Sequence, residues 1–180
     1  MKRSTRSTAS TTRNVVNRIL ASETVPLTIS IVVGQPFWLQ LSAINAQKLF
    51  LINSTLQYDA ERLEVLTSEG LPIWESGALF GANPEVDVSF RNDTPGLLTI
   101  GVSPADDDSP GVDGSGEFLR IKMNSKLSGA TTITWLPDSG AYTTDAILEL
   151  RRIDAVFNPL ALQIKGLADG LVINLNVLPA

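Results

Sequence analysis

The stretch Leu49-Phe50-Leu51-Ile52-Asn53-Ser54-Thr55-Leu56-Gln57-Tyr58-Asp59-Ala60-Glu61-Arg62-Leu63-Glu64-Val65-Leu66 decides the fold class. An extended chain turns successive side chains to opposite faces. Phe50, Ile52, Leu56 and Tyr58 therefore share one side, and Leu49, Leu51, Asn53, Thr55 and Gln57 share the other. The first set reads as core. The second set should meet water yet carries two leucines, which makes it a candidate binding surface. Tyr58 ends the inward face, where its ring can be buried while its hydroxyl finds a backbone partner. Asp59 opens a turn by accepting backbone N–H groups. The segment Asp59 to Leu66 has room for one or two helical turns and no more.

The same texture continues outward in both directions. Short alternating runs separated by Gly, Pro, Asn or Asp predict strands at 27–33, 36–44, 49–58, 63–68, 85–91, 96–103, 116–124, 131–136, 146–153 and 160–165, the last paired with 171–177. Gly34-Gln35-Pro36 marks a tight turn, and Ala168-Asp169-Gly170 marks a hairpin. About ten strands in one domain suit two packed sheets, so the chain reads as all-β.

At 180 residues, 43% hydrophobic and mean hydropathy +0.13, the chain can bury a sizeable core. It has no cysteine and no histidine. That removes disulfides, thiolate nucleophiles, histidine bases and metal sites built on Cys or His. Lys2, Arg3, Arg6, Arg13 and Arg18 all precede the first acid, Glu23, so the body is strongly acidic against an overall net charge of −5. Residues 1–24 read as a flexible basic arm rich in Ser and Thr, without fold, and residues 25–180 as the sandwich domain. Asn17 and Arg18 interrupt the only apolar run near the start, so no secretory leader is expected. No stretch approaches the roughly 20 apolar residues of a membrane helix.

Three features resemble the cohesin family, over about Val25 to Val177. Tyr58-Asp59 followed by Ala60-Glu61-Arg62-Leu63-Glu64-Val65 is similar to the family's Y-D-P-x-x-L-E-V segment, with Ala60 where proline is common. Gly70 follows the next strand. Gly114-Ser115-Gly116 leads into Phe118-Leu119-Arg120-Ile121-Lys122-Met123, like the family's G-x-G turn before an alternating strand. The resemblance implies a flattened jelly-roll sandwich of nine to ten strands that binds a dockerin module or another surface protein through one sheet face. It further implies an extracellular or cell-surface assembly linked to polysaccharide binding or breakdown. Asn53 stands where the family commonly places a polar partner contact, and Leu51 stands where cellulosomal members are often polar. The partner face is thereby expected to comprise Leu49, Leu51, Asn53, Thr55 and Gln57 with Asp87, Ser89, Arg91 and Thr99, a mixture of apolar and polar groups that suits an interface.

Other features compete for attention. In the run from Asp106 to Glu117, Asp106, Asp108, Gly111 and Glu117 fall at positions one, three, six and twelve of a calcium loop. Pro110 supplies no ligand at position five, and the flanks alternate as strands. With Asp113, these oxygens form a candidate Ca²⁺ site, and no other cofactor is implied. Trp38 and Trp74 are candidate platforms for stacking on sugars, whereas Trp135 shares a face with Ile133 and belongs to the core. Catalysis would rest on carboxylates such as Glu64, Glu85 and Asp87, which have no distinctive spacing, and no phosphate loop is present. The sequence therefore points away from an enzyme and from nucleic acid. Two alternatives to protein recognition stand: a carbohydrate-binding sandwich, and a self-assembling surface or shell subunit anchored by its basic arm.

Overall fold

In a computed structural model, residues 14–16, 28–80, 86–105, 109–144 and 149–166 are described. Among them are sixteen strands and no helix. These are β1 (Asn14–Val16), β2 (Thr28–Val32), β3 (Pro36–Leu49), β4 (Leu51–Gln57), β5 (Leu63–Val65), β6 (Thr67–Ser68), β7 (Leu71–Pro72) and β8 (Trp74–Ser76). They continue as β9 (Val86–Arg91), β10 (Leu97–Pro104), β11 (Val112–Ser125), β12 (Gly129–Trp135), β13 (Gly140–Thr144), β14 (Leu150–Ile153), β15 (Ala155–Phe157) and β16 (Leu160–Lys165). One sheet runs β15-β1-β3-β11-β5, with β8 also on β11. The other runs β14-β13-β4-β12-β16-β2, with β10 on the free side of β4 and β9 beyond it, and β6 and β7 pair as a separate two-stranded sheet. The all-β sandwich expected from the sequence is what forms.

The core lies between the sheets. Leu39 and Leu41 of β3 and Phe118, Leu119, Ile121 and Met123 of β11 meet Ile52 and Leu56 of β4 and Leu98, Ile100 and Val102 of β10. Each such side chain contributes about 1.5–3 kcal/mol on full burial. Strand β10 is the plainest case of period-two patterning, with Leu98, Ile100, Val102 and Pro104 inward and their neighbours half-exposed. The Tyr58-Asp59 corner behaves as its chemistry dictates. Asp59 Oδ1 accepts the Glu61 amide at 2.9 Å, the Asp59 carbonyl accepts the Leu63 amide at 2.8 Å, and Arg62 pairs with the Asp59 carboxylate at 3.2 Å. The result is a single turn that drops Leu63 back into the core, so 59–66 holds one turn and then strand.

Several expected boundaries move for identifiable reasons. The predicted strand 49–58 begins at Leu51, because the chain passes from one sheet to the other at Phe50. Strand β3 carries two bulges opposite β11: from Leu49/Val112 to Ala46/Gly114, and again to Ala43/Gly116, β3 spends one more residue than its partner. Asn45 and Lys48 hold positive φ (55° and 50°) at these bulges. Their amides are satisfied by Ser115 Oγ and Asp113 Oδ1, each at 2.8 Å. Gly114-Ser115-Gly116 is thus part of β11, where a turn had been expected.

A further bulge, on β11 between Glu117 and Leu119, sends the consecutive Phe118 and Leu119 both into the core. Strands β1, β7, β8, β13 and β15 are additions to the predicted set. Of these, β1 lies in the arm where the sequence suggests no fold: it pairs antiparallel with β3 and parallel with β15. The rest of residues 1–24 and the predicted closing hairpin with strand 171–177 lie outside the described residues.

Candidate functional site

The outer face of β9, β10, β4 and β13 gathers most of the residues singled out for partner binding. Strand register aligns them in rows. Ser89 stands opposite Gly101, Gly101 opposite Asn53, and Asn53 opposite Gly140. Arg91 stands opposite Thr99 and Thr99 opposite Thr55, while Asp87 faces Ser103 and Leu51 faces Tyr142. Asn53, Gln57, Asp87, Ser89 and Arg91 are exposed, and Leu51, Thr99, Ser103 and Tyr142 are half-buried. A row of small and polar groups framed by Leu51 and Tyr142 is therefore open to solvent on one sheet.

Two expected members leave this set. Leu49 is only 1% exposed and belongs to the core at the end of β3. The bulge at Lys48 and the crossing at Phe50 reset the alternation, so Leu49 and Leu51 do not share a face. Thr55 is 8% exposed and spent on structure: its Oγ1 lies 3.0 Å from Thr99 Oγ1, and its amide donates to Ser139 Oγ at 3.1 Å. It stiffens the middle of the face from below and offers little to a partner.

Between β4, β10 and β9 the face dips into an open depression of about 310 Å³ lined by Leu51, Asp87, Val88, Ser89, Gly101 and Ser103. Gly101 makes this dip possible, since a Cβ there would sit 2.4 Å from Ser89 Oγ. A glycine inside a strand signals close approach of this kind, so this residue was findable from sequence. Tyr142 and Gly140 were not, because 140–144 lies outside every predicted strand. The Tyr142 ring covers Gly140, where a Cβ would fall 2.7 Å from the phenol oxygen. Arg152 on β14 donates to the Ser139 carbonyl at 2.7 Å and fixes the neighbouring edge.

Electrostatics across the face are polarised along β9. Asp87, at one end, has no hydrogen-bond or ion-pair partner among the described residues. Arg91, at the other, lies 3.7 Å from Asp93 with both side chains more than three-quarters exposed, a pair worth little in water. Beneath the corner, burial pushes the Tyr58 phenol above its ordinary 10.0, and the Gly96 amide pulls the other way. Gly96 itself has φ +83°, and a Cβ on it would sit 2.8 Å from the Tyr58 carbonyl oxygen.

Of the acidic run, residues 109–117 are described. Strand β11 starts at Val112, so Asp113 and Glu117 lie within a strand. Asp113 caps the Lys48 amide, and Glu117 accepts from Gln40 Nε2 and lies 3.6 Å from Arg120. Asp106 and Asp108 lie outside the described residues. Among the described residues no group of three or more acids could hold a metal ion.

The tryptophans divide. Trp38 is 37% exposed on the outer face of the opposite sheet, with the Arg120 guanidinium and Lys122 Nζ each 5.6 Å from its ring centre. Trp74 is equally exposed on β8 and tilts against Phe90 at 6.0 Å. The two lie on different strands and form no continuous platform with the depression. Trp135 packs against the core, with Phe157 edge-on at 5.3 Å and its indole N–H donating to the Asn158 carbonyl at 3.1 Å.

No protein-family model and no curated protein matches the sequence. Solved structures do match the fold. A non-cellulosomal cohesin from the archaeon Archaeoglobus fulgidus superposes with a TM-score of 0.62 at 15% identity, covering 86% of this chain and 92% of that one. A type II cohesin domain from the cellulosome of Acetivibrio cellulolyticus gives 0.62 at 15% identity over 83% and 95% of the two chains. A type I cohesin–dockerin complex from Clostridium thermocellum gives 0.60 at 15% identity over 82% and 100%. The chain has the cohesin fold, a β-sandwich, as its Tyr-Asp corner and Gly pattern suggested.

Proposed function

We propose that this chain is a non-catalytic protein-recognition module that docks a dockerin-like partner on the β9-β10-β4-β13 face. The observation that carries the reading is the open array of Leu51, Asn53, Asp87, Ser89, Arg91 and Thr99 on adjacent strands, stiffened beneath by Thr55. The shared fold supports it, because the Clostridium thermocellum neighbour is itself a cohesin–dockerin complex. A flat sheet with a leucine and a tyrosine among small polar groups suits a partner interface of roughly 1,200–2,000 Å². The setting we propose is an extracellular or cell-surface assembly, with polysaccharide binding or breakdown as the wider context. Among the described residues no helix is long and apolar enough to cross a membrane.

The test is direct capture. The immobilised chain is exposed to a panel of recombinant dockerin modules of types I and II, and affinity is read by biolayer interferometry. Saturable binding of at least one dockerin supports the reading, and binding of none overturns it. Soluble glucans and xylans run in parallel distinguish a sugar-binding sandwich, whose signature would be retarded migration lost on replacing Trp38 or Trp74.

A further inference from the structure

The depression beside Asp87 has a chemistry of its own. Its apolar wall is Leu51, its floor is the bare backbone of Gly101 and Val88, and its rim carries Ser89, Ser103 and the carboxylate of Asp87; the Val88 side chain itself packs inward on the core. The volume of about 310 Å³ sits at the lower end of the roughly 300–1,000 Å³ of small-ligand pockets, so it suits a single long side chain better than a free ligand. Asp87 is exposed and lacks any hydrogen bond or ion pair among the described residues, whereas Asp93, in the loop just after β9, has Arg91 beside it. An apolar wall that ends in an unpaired carboxylate matches an alkyl stem that ends in a cation, the form of Lys and Arg.

We infer that this depression is a socket for a lysine or arginine side chain of the docked protein, with Asp87 as the charge partner and Gly101 as the floor. The inference rests on the face being the docking surface and adds what the partner must present to it. The stem lies along Leu51 over the Gly101 backbone, and the head group donates to the Asp87 carboxylate within reach of the Ser89 and Ser103 hydroxyls. Arg91, at the far end of β9, repels a cation and so favours the orientation of a partner that brings its single basic residue to Asp87. Any Cβ at residue 101 must displace Ser89 Oγ and fill the floor.

The experiment titrates the isotopically labelled full chain with N-acetyl-lysine methylamide, its uncharged isostere N-acetyl-norleucine methylamide, and N-acetyl-glutamate methylamide, following amide chemical shifts. The lysine derivative is expected to shift Ser89, Gly101 and Ser103 saturably, about fivefold more tightly than norleucine, the scale of a partly exposed ion pair. Asp87→Asn is expected to remove that advantage, Asp87→Glu to keep part of it, and added salt to shrink it. Gly101→Ala is expected to weaken both lysine and norleucine. Equal affinity for lysine and norleucine, unchanged lysine affinity in Asp87→Asn, or no shift at these three amides would overturn the socket. Lysine binding without capture of any dockerin would support the socket and reject the dockerin reading. Dockerin capture undiminished in Asp87→Asn would reject the socket and leave that reading standing.

Discussion

Thr55 Oγ1 and Thr99 Oγ1 lie 3.0 Å apart across β4 and β10, joining the two central strands of the proposed docking face from one buried and one half-buried position. Cross-strand threonine pairs of this kind contribute about 0.2–1 kcal/mol. The pair also takes Thr55 out of the surface, so recognition falls to its neighbours Leu51 and Asn53 along the strand. A rigid, pre-formed sheet reduces the ordering that a partner must impose on binding.

The bulge that drives Phe118 and Leu119 into the core together predicts an unusual sensitivity. Phe118→Ala should cost about 3–5 kcal/mol, since a fully buried ring leaves a cavity between two sheets. Urea unfolding measures it. A loss below about 1 kcal/mol would mean that the bulge relaxes and collapses onto the gap.

The Tyr58-Asp59 corner depends on Gly96 as much as on its own residues. Gly96→Ala places a methyl group 2.8 Å from the Tyr58 carbonyl oxygen at a φ of +83°. Destabilisation of more than about 1 kcal/mol is expected, read as a lowered denaturation midpoint with an unchanged slope. A neutral result would show that the turn shifts at no cost.

Tyr58 also gives the fold a pH signature. Burial favours its neutral phenol, so its folded pKa lies above the ordinary 10.0. The folded state therefore holds this proton where the unfolded chain releases it. The contribution is fully present below pH 10 and is lost as pH rises through the folded value. Thermal midpoints of Tyr58→Phe should fall less steeply than wild type above about pH 10. Identical slopes would remove Tyr58 as the cause.

Calcium is a sharper question for the acidic run. Asp113 holds the Lys48 amide and Glu117 is engaged by Gln40 and Arg120, so ligation would cost Asp113 its hold on the Lys48 bulge and Glu117 its contacts to Gln40 and Arg120. Calorimetric titration with millimolar Ca²⁺ is expected to give no heat. A saturable heat lost in Asp106→Asn or Asp108→Asn would show a site there after all.

The sandwich, the core of β10 and the Tyr-Asp corner were legible in the sequence because each rests on local rules: period-two burial, Asp as a turn acceptor, glycine where φ is positive. Ile100, Val102, Ile52 and Leu56 fall on the faces that alternation assigns them. Leu49 does not, because the bulge at Lys48 is created by pairing with Asp113 some sixty-five residues away, a long-range event that no local pattern encodes. Phe118 and Leu119 break alternation for the same kind of reason. On the face itself, Asn53, Asp87, Ser89 and Arg91 were readable as outward positions, whereas Tyr142 was hidden in a segment with no strand signal. The depression at Gly101 emerges only when three strands are in register.

The most direct measurement is the affinity of a captured dockerin for wild type and for the double variant Leu51→Lys, Asn53→Lys, with thermal midpoints recorded alongside. Both positions lie on the outer face, so the midpoint should stay nearly unchanged while binding falls by at least about a hundredfold, as expected for central interface residues. Unaltered affinity in a folded double variant would contradict docking on the β9-β10-β4-β13 face.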